Sequence, residues 1–128
     1  MPISYKLDRA RRLILTTATG AITSEDIRSH FQAMQQERAG GYAELIDAHT
    51  ATGQSLSSTD ISNAAALVEA SSCHEKFGPR AVVVGSAVAF GMTRMLAILV
   101  SDHLAMEIFY DRDEAERWLA LSGPLVGG

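Results

Sequence analysis

Cysteine is nearly absent from this chain: Cys73 is the only one. A lone cysteine makes no internal disulfide and supplies no metal framework, so a reducing, cytoplasmic setting is the expectation. Long apolar runs are missing as well. The longest mainly apolar stretch, residues 87–100, is interrupted by Thr93 and Arg94 and falls short of the ~20 residues that a membrane span needs. The opening MPISYKLDRARR has no apolar core, so no signal peptide is expected there. Concentrated positive charge is lacking too. The net charge is −4, and among the basic residues only Arg9, Arg11 and Arg12 cluster. Phosphate backbones require a dense basic field, so nucleic acid is not an expected partner. His30, His49, His74 and His103 stand far apart with no HExxH-type spacing, and neither a metal nor another cofactor is expected. No internal repeat or low-complexity segment is visible.

What remains is ordinary globular material, 47% hydrophobic and 20% charged over 128 residues. This predicts a single domain over residues 1–121, followed by a loose tail over 122–128. Ile3, Tyr5 and Leu7 alternate with polar residues and predict a strand. Residues 8–11 would turn into a second strand over 12–19, ended by Gly20. Thr23 with Asp26 has the pattern of a helix cap, and Ile27, Phe31 and Met34 follow on one helical face. After Gly40 and Gly41, residues 42–48 predict a third strand, and 49–60 a polar loop in which Ser57 and Asp60 repeat the capping pattern. Ile61, Ala65 and Val68 share one face of the next helix. A fourth strand over 80–84, a helix over 88–101, a fifth strand over 106–110 and an acid-opened helix carrying Ala115, Trp118 and Leu119 complete the chain. The order β-β-α-β-α-β-α-β-α predicts an α/β fold with a mostly parallel five-stranded sheet. Right-handed crossovers place the crossover helices on one face, with the first strand antiparallel at the edge.

Chemistry-bearing residues are sparse. Cys73 and His74 are adjacent, but neighbours on a helix point about 100° apart. Gly85-Ser86 sits between a strand and a helix without a GxSxG or P-loop pattern, which reads as a tight turn. The polar loop offers Thr50, Thr52, Ser55, Ser57, Ser58 and Thr59 between His49 and Asp60. It lies at the carboxyl end of a strand, where open α/β sheets bind ligands, and its hydroxyls also suit capping. The helix over 88–101 is apolar nearly all round. Phe90, Met92, Met95, Leu96 and Leu99 spread over more than one face, with Arg94 among them, so a subunit interface or an apolar pocket is the expectation.

The segments AVVVGSAVAFGMTRMLAIL and MEIFYDRDEAERWL resemble the small bacterial SpoIIAA-like proteins of the STAS and lipid-transfer-like superfamily. The features that carry the resemblance are the strand before Gly85, Phe90-Gly91-Met92 with Arg94-Met95, and Glu114-Ala115 with Trp118-Leu119. The N-terminal hairpin, Gly20 before Ile22-Thr23, and Asp47 at the end of strand three also fit. The resemblance implies a βα superhelix with helices packed on one side. It also implies a regulatory site after strand three, where STAS relatives carry a phosphorylatable hydroxyl. The corresponding residues are Asp47, Ser55, Ser57, Ser58 and Thr59, although Asp-Ser-Ser/Thr-Gly is replaced here by Asp47-Ala48-His49.

These observations together predict a non-enzymatic cytoplasmic binding or regulatory module that works through protein contacts and forms a homodimer. The alternative is a carrier of an apolar small molecule or lipid in a pocket lined by residues 88–101. The expected binding residues are Phe90, Met92, Arg94, Met95 and Leu99. An enzyme using Ser86 or the acids near Asp47 is the weakest reading.

Overall fold

The period-two alternation at the start of the chain becomes β1 (Ile3–Asp8), which pairs antiparallel with β2 (Leu13–Ala21), Ile3 opposite Ala18 and Asp8 opposite Leu13. The computed structural model describes residues 2–122. In the connecting turn the Asp8 carboxylate accepts the Arg11 N–H at 3.1 Å, and Arg12 takes a positive φ of 51°.

Strands and helices then alternate: α1 (Ser24–Gln36), β3 (Ala43–Thr52), α2 (Ser58–Ser71), β4 (Arg80–Val84), α3 (Ala87–Leu99), β5 (Met106–Phe109) and α4 (Arg112–Ser122). The sheet order is β1-β2-β3-β4-β5, and all pairs after the first are parallel. Both expected capping boxes form. Thr23 and Asp26 exchange bonds of 2.9 and 3.1 Å with each other's backbone N–H groups, and Ser57 and Asp60 do the same. Each box satisfies amides that the first helical turn leaves without partners.

Strand parity sorts the core into two layers. Ile14, Ile46, Val82, Val84 and Ile108 point to the side of the sheet that carries the crossover helices α1, α2 and α3. Ala43, Leu45, Ala81 and Val83 point the other way, against Ala115 and Leu119 of α4 with Trp118 beside them. Because α4 follows the last strand, it has no crossover to make. It covers the face that the three crossover helices leave open, a departure from helices packed on one side only.

Four details differ from expectation. Strand β3 continues to Thr52, so residues 49–52 are strand rather than loop: after a register shift between Thr17 and Thr19, Thr50, Ala51 and Thr52 pair with Thr19, Gly20 and Ala21. β-Branched threonines favour this extension. Gly20 therefore lies within β2, with a φ of 69°, rather than ending it. The buried face of α2 is Ile61, Ala64 and Val68, with Ala65 only partly buried. Ser122 is the last residue of α4, its hydroxyl donating to the Trp118 carbonyl at 2.7 Å. The rest of the expected tail, 123–128, lies outside the described residues.

Two glycines in or beside α3 have opposite roles. A Cβ on Gly85 would run into the His49 carbonyl oxygen of β3, whereas a Cβ on Gly91 would meet nothing within 4 Å. Gly85→Ala is therefore expected to lower the unfolding free energy by about 1–3 kcal/mol. Gly91→Ala, in the interior of an exposed helical stretch, is expected to raise it by about 1 kcal/mol. Urea denaturation of the two variants beside the parent checks both signs.

Candidate functional site: a cavity under helix α3

Helix α3 contributes no fully buried residue although it lies across β4 and β5. Its inward side chains Ala89, Met92, Thr93 and Leu96 border a cavity of about 250 Å³, with Ala89 and Leu96 also packed on the core. The opposing positions are small. Ala18 on β2, Ala48 on β3 and Ala64 on α2 leave room that larger residues would occupy. Phe31, Val68, Val82, Val84 and Val100 complete a mainly apolar wall. For scale, a cavity of about 150 Å³ accommodates benzene, and pockets for drug-sized ligands run from about 300 to 1,000 Å³.

Polar side chains interrupt this wall, among them Thr93, Gln35, Thr52 and Glu75, and four others form a cluster: Thr16 on β2, His30 on α1, Glu44 on β3 and Arg80 on β4. The sheet register brings these four together. Glu44 lies opposite Ile14 on one side and opposite Arg80 on the other, and cross-strand neighbours share a face. Oε2 of Glu44 accepts the Thr16 hydroxyl at 2.6 Å and lies 2.7 Å from Nε2 of His30. An ionised carboxylate only accepts, so Nε2 carries the hydrogen. Oε1 lies 3.2 Å from Nε of Arg80. Arg80 also donates through Nη1 to the Tyr42 and Gly78 carbonyls, at 2.7 and 2.8 Å.

Burial alone would push the Glu44 carboxyl up. The hydrogen bond from His30 and the charge of Arg80, with the Thr16 hydroxyl, more than reverse this and hold it below its ordinary range. Burial pulls Arg80 down, and the carboxylates of Glu44 and Glu75 restore it only in part. A guanidinium still remains charged at neutral pH.

The expected binding residues of α3 separate onto three surfaces. Met92 faces the cavity, close to Gly53. Phe90 packs on the sheet and stacks on Tyr110, with ring centroids 5.0 Å apart. Arg94 is exposed, as are Met95 and Leu99 on the outer face. The expected regulatory residues separate too. Asp47 lies on the α4 side of the sheet, 2.6 Å from Nδ1 of His49 and 3.6 Å from Nη1 of Arg112. Its partial burial would raise the carboxyl, but the bonds from His49 and the Arg112 charge bring it below its ordinary range. The Ser57 hydroxyl is used in the α2 cap, and Ser55, Ser58 and Thr59 are exposed. From this stretch it is Ala48, Ala51, Thr52, Gly53 and Leu56 that border the cavity. Ser86 caps α3, its hydroxyl accepting the Ala89 N–H at 3.1 Å. Among the described residues no group of three or more His, Cys, Asp or Glu side chains is placed to hold a metal ion, and no helix is long and apolar enough to cross a membrane.

Glu44, Arg80 and His30 were not foreseen as a cluster. The available signal was a charged residue at the equivalent place of two neighbouring apolar strands, AELIDA and RAVVV. Reading it requires the register between those strands.

A mixed sheet with one antiparallel edge strand, three crossover helices on one face and a final helix on the other is a SpoIIAA-like fold. The crystal structure of an uncharacterized protein from the DUF3478 family with a SpoIIAA-like fold, from Shewanella loihica PV-4, matches it with a TM-score of 0.60 and 22% identity, over 91% of this chain and 93% of that one. No protein-family model and no curated protein matches the chain.

Because the folded Glu44 carboxyl titrates below its ordinary 4.5, its stabilising contribution is complete above that pH. It is lost as the pH falls through 4.5 and then through the folded value. Stability measured by urea denaturation is expected to decline below about pH 4.5, and Glu44→Gln to flatten that part of the profile. At pH 7, Glu44→Ala leaves Arg80 buried without its partner and is expected to cost about 3–5 kcal/mol.

Proposed function

We propose that this chain is a binding module for a small, largely apolar ligand held in the cavity under α3. The observation that carries this reading is the cavity itself: about 250 Å³ bounded by apolar side chains from the sheet and all three crossover helices, with a polar cluster at one place. A core without a ligand role fills such space, because a void forfeits dispersion contacts and destabilises the fold. The size suits a compact ring or a short aliphatic chain better than a full lipid. A cytoplasmic location, argued from the lone cysteine, belongs to the same reading.

Ala89→Phe places a ring in the cavity from a helix with no fully buried side chain. It is expected to weaken binding of an apolar fluorescent probe at least tenfold while the melting temperature stays level or rises. Unchanged probe binding in a folded variant counts against the cavity as the site, as does the parent chain failing to take up any apolar probe.

A second reading rests on a separate observation. The outer face of α3 exposes Val88 (73%), Met95 (43%), Ile98 (62%) and Leu99 (51%), at helical spacings that form one apolar stripe. Such a patch suits a protein contact, and we propose self-association through it. The exposed hydroxyls of Ser55, Ser58 and Thr59, beside the start of α2, are the regulatory positions of that reading. Met95→Glu is expected to shift the solution mass from dimer towards monomer by light scattering, with no loss of stability. A parent chain that is monomeric at high concentration removes this reading.

A further inference from the structure

We infer that the cavity's ligand carries a neutral oxygen group, a hydroxyl or a carbonyl, seated against the Arg80 guanidinium. The inference rests on the cavity being a ligand site and names the chemistry of its polar end. Arg80 is buried and borders the cavity. Its Nε is engaged with Glu44, and its Nη1 with the Tyr42 and Gly78 carbonyls. Nη2 makes no hydrogen bond among the described residues, yet no buried side-chain nitrogen or oxygen among them lacks a partner. Nη2 therefore keeps some exposed surface, and Arg80 is one of the residues that line the cavity.

The charges around this nitrogen select the ligand. Glu44 faces Arg80 from β3, and Glu75, which also borders the cavity, acts on the same guanidinium. His30 from α1 and the Thr16 hydroxyl from β2 are both directed at Glu44. A ligand carboxylate would be a third carboxylate around one guanidinium, and an ammonium group would face Arg80 directly. The carboxylate would bury a charge without its own counter-ion, and the ammonium would meet a like charge at the Arg80 end, both of which are costly. A neutral oxygen accepts the free N–H of Nη2 without adding a charge. A hydroxyl can in addition donate to Oε1 of Glu44, which has only its 3.2 Å ion-pair contact with Nε, where Oε2 accepts two hydrogen bonds.

Toluene, benzyl alcohol, benzoate and benzylamine share one ring and differ at the group that would meet Arg80. Titration calorimetry at pH 7 is expected to rank benzyl alcohol about tenfold tighter than toluene, in line with one hydrogen bond from a charged donor. Benzoate and benzylamine are expected to bind more weakly than toluene. Arg80→Lys keeps a positive charge opposite Glu44 but lacks the second guanidinium nitrogen. It should bring benzyl alcohol to within about twofold of toluene without changing toluene itself. Toluene equal to or tighter than benzyl alcohol, benzoate as the tightest probe, or a folded Arg80→Lys that keeps the tenfold preference overturns the inference. If Arg80→Lys does not fold, the ranking in the parent chain decides. Failure of all four probes instead overturns the cavity as a ligand site, and this inference with it.

Discussion

Two opposite charges lie inside the layer that most α/β folds fill with aliphatic side chains, and much of the molecule is arranged around making that tolerable. Glu44 and Arg80 occupy paired positions on adjacent central strands. Each ion would be costly to bury alone, so the fold surrounds the pair with further partners. Thr16 arrives from β2, His30 from α1, and the carbonyls of Tyr42 and Gly78 receive the guanidinium. These contacts join β2, β3, β4 and the first crossover helix at one point. They specify the register of three strands, because a shift by one residue would turn either ion to the α4 face.

The same cluster accounts for the void beside it. A core that closed down on Glu44 and Arg80 would press apolar groups against polar atoms. Here part of α3 packs on β4 and β5, while alanines line the gap left beside the cluster. Helix α3 is apolar on both its inward and its outward sides, yet no side chain of it is fully buried. Met34 of α1 and Ile61, Ala64 and Val68 of α2 are buried, so α3 alone among the crossover helices lacks a fully buried residue. Fewer fully buried side chains lower the free-energy cost of local opening, in keeping with the ligand entry proposed for the cavity.

The element order was legible in the sequence, for reasons tied to particular residues. Thr23 with Asp26 and Ser57 with Asp60 mark helix starts through local chemistry, and local chemistry needs no knowledge of the fold. The near-continuous apolar run of β4 and the alternation of β1 were equally local. The extension of β3 to Thr52 was not legible, because it depends on β2 continuing past Gly20 to pair with it. The candidate site was legible only through Met92 and the excess apolar character of α3. Its polar end depends on which residues of β3 and β4 stand opposite each other, and on His30 reaching across from α1. That juxtaposition is long-range, and no spacing along the chain encodes it. Conversely, Ser57 and Ser86 looked chemically available and are occupied by capping.

The two ends of the sheet carry a further consequence. At one border, β1 presents Ser4 and Lys6 to solvent just after Pro2, and at the other β5 is four residues long with Glu107 exposed. Short edges, an outward lysine and a nearby proline are poor templates for another chain's strand. Growth of the sheet from molecule to molecule is thereby discouraged at both borders, and assembly by strand addition, the route to fibres, is disfavoured.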